Sequence, residues 1–363
     1  MNIKSIELKN FRNYKNLDIS FNSNVNLFLG KNGQGKTNLL EALYLTSIGR
    51  SFRTNRDQEM ISFNENEAKV HVEYEREREE HALDIVIKKD SKKEVSSDGI
   101  KYRKISQLLD NIYIVIFSPE DLKIVKDEPE KRRKFIDKEL CQIRPSYYNN
   151  LANYKRALTE RNAYLKEINV DPNMLDIWDH ELSKYGALVI KQREDFIKKL
   201  NEASSNIHKK ITNYSENLKV EYSPNIELME TAAYQEVVCY KALKESFDSD
   251  LRQRTTTRGP HKDDLDLFVD DINVRAFGSQ GQQRTVALSL KLAEIDIIKK
   301  ESGEDAILLL DDVMSELDIT RQEFLIKALE GCQLFITTTE MPETLTEKFP
   351  NKKEFHVENG IVK

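Results

Sequence analysis

Val25-Asn26-Leu27-Phe28-Leu29-Gly30-Lys31-Asn32-Gly33-Gln34-Gly35-Lys36-Thr37-Asn38 is the stretch on which the reading of this chain turns. From Gly30 to Thr37 it fits G-x-x-x-x-G-K-[ST]. It lies between an apolar strand, Val25 to Leu29, and a helical segment, Lys36 to Thr46, the context in which that motif binds phosphate. Gly33 and Gly35 permit positive φ and close backbone approach, so the N–H groups of Gly30 through Thr37 surround a β-phosphate at the positive end of the helix. Lys36 is expected to neutralise β/γ oxygens and Thr37 to hold Mg²⁺ through its hydroxyl, with Asn38 completing the contact segment.

Far downstream, Ile307-Leu308-Leu309-Leu310-Asp311-Asp312 reads as a buried parallel strand ending in two carboxylates. Carboxylates at the carboxyl end of such a strand emerge beside the bound phosphates. Asp311 is expected in the Mg²⁺ shell and Asp312 as the group that polarises the attacking water, which makes Lys36, Asp311 and Asp312 the catalytic set. A third feature, Phe277-Gly278-Ser279-Gln280-Gly281-Gln282-Gln283-Arg284, opens the helix before that strand. Ser279, Gly281 and Gln282 there form a second anion-binding helix start. One nucleotide does not need two such ends.

Outward from these motifs the chain divides into three. Residues 1–118 show short alternating strands (Ile6 and Leu8; Leu17, Ile19 and Phe21; Val70 to Tyr74; Leu83 to Ile87; Tyr113 to Phe117), with Lys88 to Asp98 reading as a hairpin or solvated loop. Residues 119–250 carry apolar residues in steps of three and four, as in Leu182, Tyr185, Val189, and Pro129, Pro145 and Pro172 fall where helices begin. Most charges in this stretch read as a solvated helix face. In residues 251–363 strand alternation returns at Leu265, Leu267 and Val269. The expected architecture is α/β: an ATPase head in two parts, 1–118 and 251–363, with an inserted helical arm lobe at 119–250.

Composition limits the partners. With 39% hydrophobic and 33% charged residues among 363, the chain can bury a large core. No apolar run is long enough to span a bilayer and the first residues lack a signal-peptide core, so the expectation is a soluble, cytoplasmic protein that meets no membrane. Cys141, Cys239 and Cys332 have no paired spacing and read as reduced packing residues. The net charge of −6 argues against nonspecific coating of nucleic acid, so DNA contact needs local basic clusters. Arg50, Arg53 and Arg56 form one candidate and Lys131-Arg132-Arg133-Lys134 another. The competing reading pairs them with Asp57, Glu128 and Glu130.

Several strings carry a family resemblance. The Phe277–Arg284 segment resembles the LSGGQ signature of ABC/SMC-type P-loop ATPases, and Ser315-Glu316-Leu317-Asp318 resembles their D-loop, though taken alone it is also a helix N-cap with Ser315 or Asp318 as the cap. Asn10-Phe11-Arg12-Asn13-Tyr14, Gly49-Arg50-Ser51-Phe52-Arg53, Ser118-Pro119-Glu120-Asp121-Leu122 and Gly259-Pro260-His261-Lys262-Asp263-Asp264-Leu265 are similar to the RecF family. About 130 residues of arm are too few for the very long coiled coil of a full SMC protein, at about 1.5 Å per helical residue. The resemblance implies an ATP-dependent head-to-tail homodimer in which the signature of one subunit meets the γ-phosphate held by the other. It implies Arg12 as a nucleotide contact, weak DNA-stimulated ATP hydrolysis that drives release, and work with RecR and RecO at gapped or junction DNA to load RecA in repair, replication restart and the SOS response. A transporter-type ABC subunit and a nuclease-associated SMC-like head are the alternatives. Asp312 stands where many relatives have Glu, and Thr337-Thr338-Thr339 where many have a switch His; both departures imply slow turnover. His261 reads as a structural or DNA-facing residue before it reads as a base.

Overall fold

The computed structural model describes residues 1–339, 349 and 351–363, and the backbone alone at 315 and 316. The first elements are β1 (Asn2–Phe11), β2 (Tyr14–Ser20), β3 (Val25–Leu29), α1 (Lys36–Ile48), β4 (Glu67–Arg76), β5 (Glu79–Lys88), β6 (Glu94–Ser97), β7 (Ile100–Lys101) and β8 (Ile114–Phe117). Then come α2 (Leu122–Lys126), α3 (Pro129–Ile143), α4 (Pro145–Tyr164), α5 (Pro172–Ile211), β9 (Leu218–Ser223), α6 (Ala232–Glu245), α7 (Phe247–Gln253), β10 (Asp264–Val269), β11 (Ile272–Asn273), α8 (Val274–Phe277) and α9 (Gln280–Ser302). The chain ends with β12 (Ile307–Asp311), α10 (Ile319–Ala328), β13 (Leu334–Thr338), β14 (Lys353–Glu358) and β15 (Ile361–Val362). Two compact units result, one of Met1–Asp121 with Glu294–Lys363 and one of Leu122–Ala293. Among the described residues no helix is long and apolar enough to cross a membrane.

The first unit holds two sheets. One is antiparallel, in the order β2-β1-β4-β5-β6-β7; the other runs β15-β14-β3-β13-β12-β8, parallel except for the β15 edge. Every residue of β12 is buried, as a strand between two parallel neighbours requires. Stacked Phe28 and Phe355, 4.9 Å apart, and Phe21 edge-on to Phe335 at 4.8 Å pack side chains of β3, β13 and β14 around one aromatic cluster. Leu39, Leu40 and Leu43 of α1 share a single core with residues from both sheets. Gln333 ties the sheets as a strand would: its amide accepts from Ile3 N–H at 2.7 Å and donates to Ile3 O at 2.8 Å. Of the two readings of Lys88 to Asp98 the hairpin holds: β6 pairs antiparallel with β5, and its Val95 and Ser97 are buried. On its other side β6 pairs with the short β7.

In the second unit Pro129, Pro145 and Pro172 each occupy the first turn of a helix, where the missing N–H costs nothing. Helix α5 is continuous over 40 residues, and both α4 and α6 pack along it. The stretch read as all-helical also contains β9, Leu-Lys-Val-Glu-Tyr-Ser, which pairs antiparallel with β10. Its period-two alternation is visible in the sequence, but its partner lies beyond α7.

Three arginines depart from the solvated-face reading. Arg161 of α4, fully buried, donates to Asp179 at 2.7 Å, Asp250 at 2.6 Å and Thr256 at 2.9 Å. Arg193 of α5 donates to Asp137 at 2.7 Å, Asp263 at 2.9 Å, Pro260 O at 2.6 Å and Tyr147 Oη at 3.0 Å. Arg132 of α3 forks onto Asp264 at 2.6 and 3.0 Å. Planar guanidinium bridges of this kind fix helix positions that apolar contacts alone would leave adjustable.

His261 belongs to the same interior. Its Nε2 lies 2.9 Å from Thr256 O and its Nδ1 2.6 Å from Tyr154 Oη. A carbonyl only accepts, so Nε2 carries the proton and Nδ1 accepts from the tyrosine. Burial pushes the imidazole down to about 4, with the positive charges of Lys262 and Arg133 adding to it. The unfolded chain therefore binds the extra proton between about 6.5 and about 4. The stability that neutral His261 contributes is present above pH 6.5 and is lost as pH falls toward 4. Urea midpoints of the parent and of His261→Gln should diverge at neutral pH and converge through that window. Parallel curves would show that His261 titrates alike in both states.

Candidate nucleotide site

The site is built where strands end together. In the parallel sheet Thr338 pairs with Leu29 and Thr337 with Asp311, so β3, β13 and β12 finish at one level. The phosphate-loop sequence leaves β3 at that edge and enters α1 through Gly35, whose φ of 120 favours glycine. A Cβ at Gly35 would stand 2.6 Å from Asn13 Nδ2 and 3.1 Å from Tyr14 Oη. That close approach is used: Tyr14 Oη donates to Gly35 O at 3.0 Å and Asn13 Nδ2 to Gln34 O at 2.9 Å. From the other side Gly360 N–H donates to Gln34 O and Asn359 N–H to Gln34 Oε1. Turns from both sheets thus fix the loop, while Lys31, Asn32 and Gly33 stand exposed at its crest.

Lys36 folds back over this loop. Its side chain is buried, and Nζ donates to Gly30 O at 2.6 Å and Lys31 O at 3.2 Å. Next to it Thr37 Oγ1 donates to Asp311 Oδ1 at 2.8 Å, bringing together the two residues assigned to the metal. Thr337, which the sequence offered only as a departure from a histidine, donates to the same Oδ1 at 2.8 Å and accepts from Asp312 N–H at 3.0 Å. It orients the Asp311 carboxylate and holds the Asp312 backbone. Asp312 has a left-handed φ of 53. Burial raises its carboxyl above the usual range, Lys36 opposes this, and Asp311 adds to it.

A second cluster lies beside the loop. Glu41 of α1 is fully buried, and its carboxylate receives Arg12 Nε at 2.8 Å, Arg12 Nη2 at 2.7 Å, Arg53 Nη1 at 3.4 Å and the Ser51 hydroxyl. Arg53 also donates to Asn38 Oδ1 at 2.6 Å, and Asn38 Nδ2 to Asn13 Oδ1 at 2.8 Å. A polar chain therefore runs from Glu41 to the loop carbonyl that Asn13 holds. Arg12, Asn13, Asn38, Arg53 and Phe63 line a cavity of about 640 Å³ there. Sequence reasoning did not single out Glu41. The available signal was one acid inside the apolar run Leu39-Leu40-Glu41-Ala42-Leu43.

In the second unit, Ser279 caps α9. Its Oγ accepts from Gln282 N–H at 3.2 Å and Gln282 Oε1 accepts from Ser279 N–H at 2.9 Å, a reciprocal capping box. Phe277 beside it is 80% exposed. Asp318, not Ser315, caps α10 through Arg321 N–H at 3.0 Å; the side chains of Ser315 and Glu316 lie outside the described residues.

The basic candidates separate. Arg50 is exposed, and Arg56, 84% exposed, has Glu59 at 3.8 Å. Lys131 is exposed, Lys134 pairs with Glu130 at 2.6 Å, and Arg133 donates to Asp263 O at 2.6 Å. Arg132 corrects the sequence reading: it is 2% exposed and held by Asp264, so it belongs to the core and not to a DNA-facing surface.

Residues 2–363 match the family model described as RecF/RecN/SMC N terminal domain. The DNA replication and repair protein RecF of Clostridioides difficile (strain 630) is 44% identical over 364 residues, covering 100% of this chain and 98% of that protein. The RecF of Clostridium botulinum (strain ATCC 19397 / Type A) is 44% identical over 367 residues and covers 100% of both. Among solved structures, the recombination mediator protein RecF-ATP in the RecFOR pathway matches with a TM-score of 0.92 at 35% identity, over 100% of this chain and 97% of that one. The Smc head domain of Pyrococcus furiosus shares the fold, with a TM-score of 0.55 at 17% identity over 100% of this chain and 95% of that one.

The arginine cluster generates a prediction. Removing one partner of a buried ion pair leaves the other uncompensated, at roughly 3–5 kcal/mol. Glu41→Gln and Arg12→Ala should each destabilise, and a double-mutant cycle read from urea midpoints should give a coupling of about 1–3 kcal/mol. A coupling near zero would reduce the pair to a surface contact.

Proposed function

The chain belongs to the RecF/RecN/SMC N-terminal domain family and, within it, to the RecF proteins of DNA replication and repair, and on that premise we propose that it is an ATP-dependent, DNA-binding recombination mediator that dimerises on ATP. The observation that carries this reading is the pairing of Thr37 and Asp311 beneath the loop, with Lys36 at its mouth. Hydroxyl and carboxylate oxygen are the hard donors Mg²⁺ takes, so the residues fit the ion. Thr37 and Asp311 would hold it, and it would supply charge neutralisation at the phosphates. The loop N–H groups and Lys36 bind the β- and γ-oxygens of ATP, the nucleotide carried by the solved relative. Asp312, its carboxyl raised by burial, accepts a proton from the attacking water. The exposed Ser279 and the helix start behind it meet the γ-phosphate of a second copy.

On this reading ATP closes the dimer on gapped or junction DNA, RecR and RecO join it, and RecA is loaded onto the exposed strand. Slow, DNA-stimulated hydrolysis drives release. The protein works in the cytoplasm. Arg50, Arg53, Arg56, Lys131, Arg133 and Lys134 remain the DNA-contact candidates. The functional division drawn from the sequence, a head at 1–118 and 251–363 and an arm at 119–250, goes with this proposal. Full-length identity to RecF proteins speaks against the transporter and nuclease-associated alternatives.

Lys36→Ala should weaken nucleotide binding by roughly a hundredfold, since a charge-assisted contact is lost and the loop's cation with it. Asp312→Asn should keep ATP and accumulate the closed dimer, visible in sedimentation, while turnover falls; turnover at the parent rate would move the base elsewhere.

Ser279→Arg should leave monomeric ATP binding intact but block both self-association and ATP-dependent binding to gapped duplex. A parent that stays monomeric with ATP, or a mutant that still associates, would overturn the dimer reading.

A further inference from the structure

One carboxylate stands behind the signature turn. Gln282 closes the Ser279 cap with its Oε1, which leaves its Nε2 to donate, and that nitrogen lies 3.1 Å from Glu216 Oε1. The other Glu216 oxygen lies 3.2 Å from Nε2 of His208, a fully buried residue in the last turn of α5. His208 Nδ1 lies in turn 3.1 Å from Ser289 Oγ on α9. The Ser289 hydroxyl donates to Thr285 O at 2.8 Å, so its oxygen is the acceptor and His208 Nδ1 the donor. Glu216 thus touches the end of α5 with one oxygen and the signature with the other.

Its own placement is constrained from both sides. The chain leaves α5 with Tyr214 N–H donating to Lys209 O at 2.6 Å, and Asn213 and Tyr214 take φ values of 49 and 61. Immediately after Glu216, Asn217 N–H donates to Asp270 Oδ1 and Asp270 N–H to Asn217 O, both at 3.0 Å. At the signature turn a Cβ on Gly278 would stand 2.6 Å from Val274 O, so a side chain there would force the turn to shift.

We infer that Glu216 is a positioning residue: it orients the Gln282 amide and with it the capped start of α9, and so couples the C-terminal end of α5 to the turn that meets the triphosphate. The last step rests on the dimer reading above; the orientation of the turn does not.

The test uses the full chain and compares Glu216→Ala with E216Q. In E216Q the side-chain oxygen still accepts from Gln282 and the amide group takes the place of the second carboxylate oxygen beside His208 Nε2, so the link to the signature is kept without the charge. Without nucleotide, hydrogen exchange at the Ser279–Gln282 amides should rise about tenfold in Glu216→Ala, the loss of one hydrogen bond to a charged group, and stay at the parent level in E216Q. With ATP, Glu216→Ala should self-associate about tenfold more weakly while monomeric ATP affinity holds. Unchanged exchange in Glu216→Ala, or equal loss in E216Q, would overturn the inference. Exchange that responds in a protein whose parent never associates on ATP would uphold the positioning role and remove the dimer reading instead.

Discussion

Two hydroxyls converge on one carboxylate oxygen, and the placement of everything around the nucleotide site depends on it. Thr37 reaches Asp311 Oδ1 from the start of α1 and Thr337 reaches it from the end of β13, each at 2.8 Å. The contact exists only if β3, β13 and β12 keep their register, since a one-residue slip turns each side chain to the opposite face. The stacked phenylalanines of β3 and β14 and the Gln333 bridge to β1 hold that register from within the core. Packing some distance from the phosphates therefore sets the relation of hydroxyl to carboxylate.

The second unit solves a different problem. A set of long helices with charged sequences has many near-equivalent ways to slide, and apolar stripes alone discriminate weakly between them. Buried guanidiniums discriminate strongly, because sliding one away from its carboxylates leaves an unpaired charge in the interior. Arg161 joins α4 to α5 and α7, and Arg193 joins α5 to α3 and to the turn at Pro260. The Gly-Pro-His-Lys-Asp-Asp string belongs to this framework: half-buried His261 and buried Asp263 are hydrogen-bonding partners of α4 and α5.

Polar chains recur where the two candidate phosphate-binding elements are held. Glu41 gathers Arg12 and Arg53 beside the loop, and Glu216 holds Gln282 behind the signature. In both places an acid without a motif of its own fixes a residue that has one. Local pattern does not mark such an acid, because its meaning comes from a partner tens or hundreds of positions away.

Much was determined by the sequence itself. The Gly30–Thr37 loop between a strand and a helix, the apolar run ending at Asp311, and prolines at the first turn of α3, α4 and α5 are local statements, governed by φ, by hydrogen-bond donors within a few residues and by hydrophobic period. The capping box of Ser279 and Gln282 is local in the same sense. Tertiary structure alone decided that β9 leaves the helical stretch to pair with β10 and that Arg132 faces Asp264 instead of solvent. It also decided that Thr337 serves Asp311 and that Glu41 receives two arginines. The physical reason is common to all of these: a charge or a hydroxyl takes its role from whichever group the fold brings within hydrogen-bond distance, and that proximity is a property of the packed chain.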